Sequence, residues 1–132
     1  MKKLGEPFQV VDWKTEKYVP VIERPESVKS GLEKFEIKVS VEKEISHSNT
    51  AEHHIRWIQI FFHPQGEQNG YQLANCEFTA HRESVEGASQ GPACTVHTVT
   101  VTAMINKPGI IYALSFCDIH GLWENTREVK IR

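Results

Sequence analysis

The stretch KFEIKVSVE, residues 34–42, constrains the fold more than any other part of the chain. In an extended chain Phe35, Ile37, Val39 and Val41 fall on one face, and Lys34, Glu36, Lys38, Ser40 and Glu42 on the other. A helix, with its repeat of about 3.6 residues, would scatter those apolar side chains around its circumference. The pattern suits a strand with one side against a core and the other in water. Related signals recur along the chain. HIRWIQIFF is apolar on both faces, as a central strand would be. GYQLANCEFTA, TVHTVTVTAM and GIIYALSF are rich in β-branched and aromatic residues. FQVVDW, VPVIE and REVKIR read as shorter strands, and RPESVKSG, HPQGEQNG, EGASQGP and NKPG as the turns between. There is no amphipathic helical stretch of useful length and no internal repeat. About seven short strands in a chain of 132 residues predict an all-β, immunoglobulin-like sandwich.

Composition narrows the function. A chain of 132 residues can bury a core without disulfide staples. The formal net charge of -2 offers no basic surface for nucleic acid. No apolar run is long enough to span a bilayer. The start, MKKLGEPFQVVDW, has two lysines but no continuous apolar segment after them, so it does not read as a signal peptide. The cysteines are Cys76, Cys94 and Cys117. An odd number without framework spacing suits a reducing cytoplasm, and Cys76 and Cys94 are expected to be small buried apolar side chains.

Chemistry enters at SFCDIHGLWEN, where a thiol, Cys117, and an imidazole, His120, follow directly on an apolar strand. Of the seven histidines, His47 and His53 lie in the polar loop EISHSNTAEHHIRW, which leads into another strand. Loops at one end of a sandwich converge, and a metal needs donors from different segments. His47, His53, Cys117 and His120 are therefore a candidate set of three imidazoles and one thiolate. His54 should point away from His53 on an extended chain. His63, His81 and His97 are expected to be ordinary solvated or hydrogen-bonded side chains. The donor set admits iron, redox-silent tetrahedral zinc, or a copper electron-transfer site. Copper would call for a nearby axial Met; none follows His120, and Met104 precedes Cys117. Trp123 reads as packing beside the site, or as a loop contact if the chain is a plain binding module.

Taken together, EKYVPVIE, EISHSNTAEHHIRWI, EFTAHRES and CDIHGLWEN resemble the one-domain superoxide reductases, or neelaredoxins, of the desulfoferrodoxin iron-binding family, from about residue 12 to 125. The resemblance implies an immunoglobulin-like sandwich holding one non-haem iron ringed by four histidines, with a cysteine thiolate beneath it. It implies reduction of superoxide to hydrogen peroxide, a rubredoxin-like electron donor and a homo-oligomer, a tetramer. Carried over position by position, the metal ligands are His47, His53, Cys117 and His120. Glu16 and Lys17 match a glutamate and a lysine near the open site. The lysine would concentrate an anionic substrate and order a proton-delivering water; the glutamate would occupy the sixth position of the ferric resting state. Two-domain relatives carry an extra cysteine-rich module at the N-terminus. With no cysteine before Cys76, residues 1–132 are expected to be a single domain in which 1–14 form an arm.

Three positions depart from the family pattern. Ser46 and Ser48 stand where prolines usually flank the loop histidine. Tyr18 stands where the fourth iron histidine is expected. A phenol has a pKa of about 10 and binds as an anion only where a metal drives its deprotonation, as tyrosinate does on haem iron. Tyr18 would then favour Fe(III); otherwise it swings away and water fills the gap.

Overall fold

The computed structural model describes residues 19–31, 33–41 and 48–132. Among these it has eight strands: β1 (Val21–Glu23), β2 (Ser27–Val28), β3 (Phe35–Ser40), β4 (Ile55–Pro64), β5 (Tyr71–Glu77), β6 (Thr98–Ala103), β7 (Gly109–Cys117) and β8 (Gly121–Ile131). They form a three-stranded sheet in the order β1-β3-β6 and a five-stranded sheet in the order β2-β8-β7-β4-β5. The expected sandwich is what the chain adopts. In β3 the predicted alternation holds: Phe35, Ile37 and Val39 are buried while Glu36 and Lys38 are exposed. Val41, just past the strand, continues the buried row.

HIRWIQIFF becomes the interior strand β4, flanked by β7 and β5. Its inward side chains Ile58, Ile60 and Phe62 meet Ile111 and Ala113 of β7 and the β3 row in one core. Hydrogen bonding also ties the sheets at their margin, where Asn125 Nδ2 donates to Pro20 O at 2.9 Å. No helix of the described residues is long and apolar enough to cross a membrane.

Several local expectations need correction. RPESVKSG is not all turn, because Ser27 and Val28 pair in parallel with Lys130 and Ile131 at the sheet edge. Two paired residues are too few for any alternation to announce them. The terminal strand is much longer than REVKIR: β8 starts at Gly121, so Trp123 is a strand residue and not a loop aromatic. Cys76 and Cys94 are only partly buried; Cys76 lies on β5, an edge strand, where one flank lacks a neighbouring strand. FQVVDW lies outside the described residues.

Candidate metal centre

The spacing of Cys117 and His120 is that of a hairpin turn. Cys117 closes β7, Gly121 opens β8, and the two are paired across the ladder. Asp118, Ile119 and His120 make the reversal, and Gly121 completes it with φ at 82°, a left-handed conformation natural to glycine. The reversal folds His120 back over the cysteine, and its backbone N–H donates to Cys117 Sγ at 3.4 Å. Trp123 Nε1–H donates to His120 O at 3.2 Å, fastening the turn to β8. Trp123 is buried, so the packing expectation for it holds.

His53 reaches the same place from another turn. Thr50 N–H donates to His53 O at 3.0 Å, and His53 N–H returns the bond to Thr50 O at 3.2 Å. The chain then enters β4 through a register shift between Ile55 and Trp57. Such a bulge changes which side chains face inward. Ile55 is fully buried opposite Cys117, although Ile58 and Ile60 set the inward side beyond the bulge. Carrying the alternation two residues back from Ile55 sends His53 toward Cys117 and His54 away.

The arrangement of the side chains agrees. The His53 and His120 rings lie 5.1 Å apart, tilted by 56°. His53, Cys117 and Asp118 each offer a donor atom within 4.8 Å of the others. Cys117 is fully buried, His53 half-buried and His120 exposed. A soft thiolate beside two imidazoles fits iron, a metal that accepts both donor types. Asp118 is within reach of a metal here, yet its Oδ1 accepts the His54 N–H at 2.9 Å and its Oδ2 lies 3.6 Å from His54 Nδ1. His47, Glu16, Lys17 and Tyr18 lie outside the described residues.

Behind the candidate ligands stands a second cluster that sequence reasoning did not find. The His54 ring stacks on His81 at 3.5 Å, with 8° between the planes, and His54 Nδ1–H donates to Thr50 O at 2.8 Å. His81 is buried, with Nε2 2.7 Å from Phe78 O and Nδ1 3.2 Å from Asn49 Oδ1. Asn49 also donates through Nδ2 to Thr95 O at 2.9 Å. Burial holds His81 below the ordinary imidazole pKa, against the backbone carbonyl of Phe78, which favours the protonated ring. Glu83 is held below the usual carboxylate range, chiefly by the His81 N–H that it accepts at 2.8 Å. His81 is thus hydrogen-bonded, as expected, but it is also the brace behind His54. The one available signal was EFTAHRES, a segment that resembles the family without supplying a ligand. His63 binds Glu67 O through Nε2 at 2.8 Å, and His97 is buried with 1% exposure.

Beside the centre an open cleft of about 490 Å³ is lined by His54, Arg56, Trp57, Phe116 and neighbours. Trp57 stacks on Phe116 at 5.9 Å, and the Arg56 guanidinium stands 5.8 Å from the centre of the Phe116 ring.

Comparison with known proteins identifies the family. The family profile of desulfoferrodoxin matches residues 10–126. The chain is 48% identical to neelaredoxin of Megalodesulfovibrio gigas over 98% of its own length and 99% of the relative's. It is 48% identical to superoxide reductase of Pyrococcus furiosus over 92% of this chain and 95% of that one. Among solved structures, superoxide reductase (neelaredoxin) from Archaeoglobus fulgidus in the reduced form superimposes with a TM-score of 0.87 at 41% identity, covering 96% of this chain and all of the other.

Proposed function

The chain belongs to the desulfoferrodoxin family, and we propose that it is a superoxide reductase: it converts superoxide to hydrogen peroxide with one electron from an external carrier protein and two protons. The observation that carries the reading is the meeting of Cys117, His53 and His120 at one end of the sandwich. Those residues, with His47, would hold a mononuclear iron. Bound there, iron supplies the one-electron Fe(II)/Fe(III) couple. The protein's own contribution begins with the thiolate. The His120 N–H donated to Sγ spreads some of its charge and fixes its direction. Lys17 draws the anionic substrate in and orders the water that delivers a proton. Glu16, matched to the family only through its sequence motif, would act as an oxygen donor toward the oxidised metal.

The ligand sphere is altered by Tyr18, which takes the place of a family histidine. As tyrosinate it would add a negative charge and favour Fe(III). A phenolate charge-transfer band in the oxidised protein, lost in Tyr18→Phe, is expected; an unchanged spectrum would mean that Tyr18 is not a ligand. The electron donor is a small redox protein of the rubredoxin kind. Phe116 supports an approach from the cleft, since it is partly exposed and one peptide bond from Cys117. Assembly into a homo-oligomer, a tetramer, is supported by the outer face of the five-stranded sheet. There the alternation leaves Trp57, Phe61, Ile110, Tyr112, Leu114 and Phe116 uncovered or half-covered.

The deciding experiment measures the metal content of the purified protein together with its reaction with a pulse of superoxide. One iron per chain, and one hydrogen peroxide formed per superoxide with an equivalent of donor oxidised, are expected. Half that peroxide with no donor oxidised would mean dismutation, and zinc in place of iron would remove the redox reading altogether.

A further inference from the structure

We propose that Asp118 is a positioning residue of the metal centre: its carboxylate fastens the turn that carries His53 to the turn that carries Cys117, and its negative charge biases the metal's redox state. The inference rests on the metal-centre reading above.

The ligands come from two turns about sixty residues apart in sequence, so something must hold those turns in register when no metal does so. The backbone contributes one bond, Asp118 N–H to His54 O at 3.1 Å. The Asp118 side chain completes a reciprocal pair by accepting the His54 N–H at 2.9 Å. Its second oxygen faces the His54 ring at 3.6 Å, and the two side chains are only 9% and 11% exposed. His54 is in turn stacked on His81, which Phe78 and Asn49 hold. Two of the ligands therefore have a chain neighbour locked: Asp118 follows Cys117, and His54 follows His53. Preorganisation of this kind lowers the ordering cost of metal binding.

The second part follows from distance. Asp118 Oδ1 lies 3.9 Å from Cys117 Sγ. A carboxylate that close to a thiolate, in a place nearly closed to water, is weakly screened. It makes the sulfur a stronger donor and favours the more positive metal ion, Fe(III).

Asp118→Asn separates the two roles. Asparagine keeps an oxygen to accept the His54 N–H but carries no charge; Asp118→Ala loses both. Cobalt(II) is the first probe, because its thiolate charge-transfer band reports binding at Cys117 without reference to superoxide. If the native chain shows no such band, it is the metal-centre reading that fails and not the role of Asp118 within it. Given the band, Asp118→Asn should bind cobalt within about threefold of native. Asp118→Ala should bind at least tenfold more weakly, with circular dichroism verifying its fold. In the iron-loaded protein, Asp118→Asn should shift the Fe(III)/Fe(II) ratio at fixed applied potential about tenfold toward Fe(II), which is 59 mV for a one-electron couple. Native-like cobalt affinity in a folded Asp118→Ala overturns the fastening role. If Asp118→Ala does not fold, the potential of Asp118→Asn decides, and no shift overturns the bias. Loss of cobalt binding in a folded Asp118→Asn would make Asp118 a ligand and overturn the proposal as a whole.

Discussion

Gly121 gives the sharpest test of how the Cys-x-x-His turn works. Its φ is 82°, and a Cβ built there would meet nothing within 4 Å. Gly121→Ala therefore adds no clash, and its whole cost is the left-handed backbone, about 1–2 kcal/mol for a residue with a Cβ. That cost can appear in two places. If the metal-free turn keeps its shape, the apoprotein loses the full amount. At this chain length that is a fall in melting temperature of roughly 3–8 °C. If the metal-free turn relaxes out of the left-handed region, apo stability is spared. Metal binding must then restore the strained turn, and affinity falls by up to about tenfold for each 1.4 kcal/mol. The two losses should together account for about 1–2 kcal/mol. Calorimetry of the apoprotein and a cobalt competition titration measure them separately. Gly121→Asn should recover much of the loss, because asparagine tolerates this conformation better. Gly109→Ala marks the contrasting case, since there the new Cβ would meet Phe62 ring atoms at 2.7 Å and the His63 carbonyl. If Gly121→Ala changes neither quantity, or if Asn and Ala behave alike, the left-handed turn is not what sets the ligand geometry.

Other outcomes follow from the same structure. His81 has its pKa pushed down by burial, so its contribution to stability is present above the ordinary value of 6.5 and is lost as pH falls through the folded value. Both of its ring nitrogens face oxygen acceptors, an arrangement suited to the protonated ring; burial is the stronger influence here, and an NMR titration placing His81 above 6.5 would reverse that judgement and the predicted slope. His81→Gln should lose stability overall but show a flatter acid limb. Lys17→Ala should slow the reaction with superoxide and reduce its dependence on ionic strength, since steering of an anion is screened by salt; an unchanged rate and salt slope would retire that role. Ile55→Ala and Ile37→Ala each empty a fully buried site and should each cost about 2–5 kcal/mol. Only the first lies opposite Cys117, so it alone should move the thiolate charge-transfer band; equal effects on the band would mean that the core does not position the sulfur.

The parts of the fold that burial dictates were legible in the sequence. Phe35, Ile37, Val39 and Val41 announce β3 because one face is apolar and the other charged. β4 and β7 announce themselves by length and β-branched content. What the sequence hid was set by pairing between distant segments. Ser27 and Val28 form a strand only because the end of β8 lies beside them. β8 runs back to Gly121 because β7 templates it, although its polar and apolar residues do not alternate cleanly. The site divides the same way. His53, Cys117 and His120 were legible as candidate donors from the loops that carry them and from the family motifs around them. Asp118, His54, His81 and Asn49 were not, because carboxylates, amides and imidazoles are ordinary surface residues until a partner is known. The opposite facing of His53 and His54 was expected from alternation, but the bulge at Ile55 that turns His53 toward the cysteine is a feature of pairing and not of composition.

The burial of the candidate donors forms a gradient. Cys117 is fully buried at the end of the β7 core row, His53 is half-buried, and His120 is exposed. The sulfur is thus enclosed by protein, His120 faces water, and His53 lies between the two. A thiolate is the most oxidisable donor in such a set, and its susceptibility follows its exposure. A centre that reduces superoxide as proposed would make, at every turnover, the oxidant that converts such a thiolate to sulfenic acid. Burying Sγ at the end of β7, opposite Ile55, would separate the vulnerable atom from that product. The cost is that the sulfur cannot move to meet a metal. The turns must bring the imidazoles to it, which is why the hairpin closed by Gly121 and the pair formed by Asp118 and His54 carry so much of the geometry.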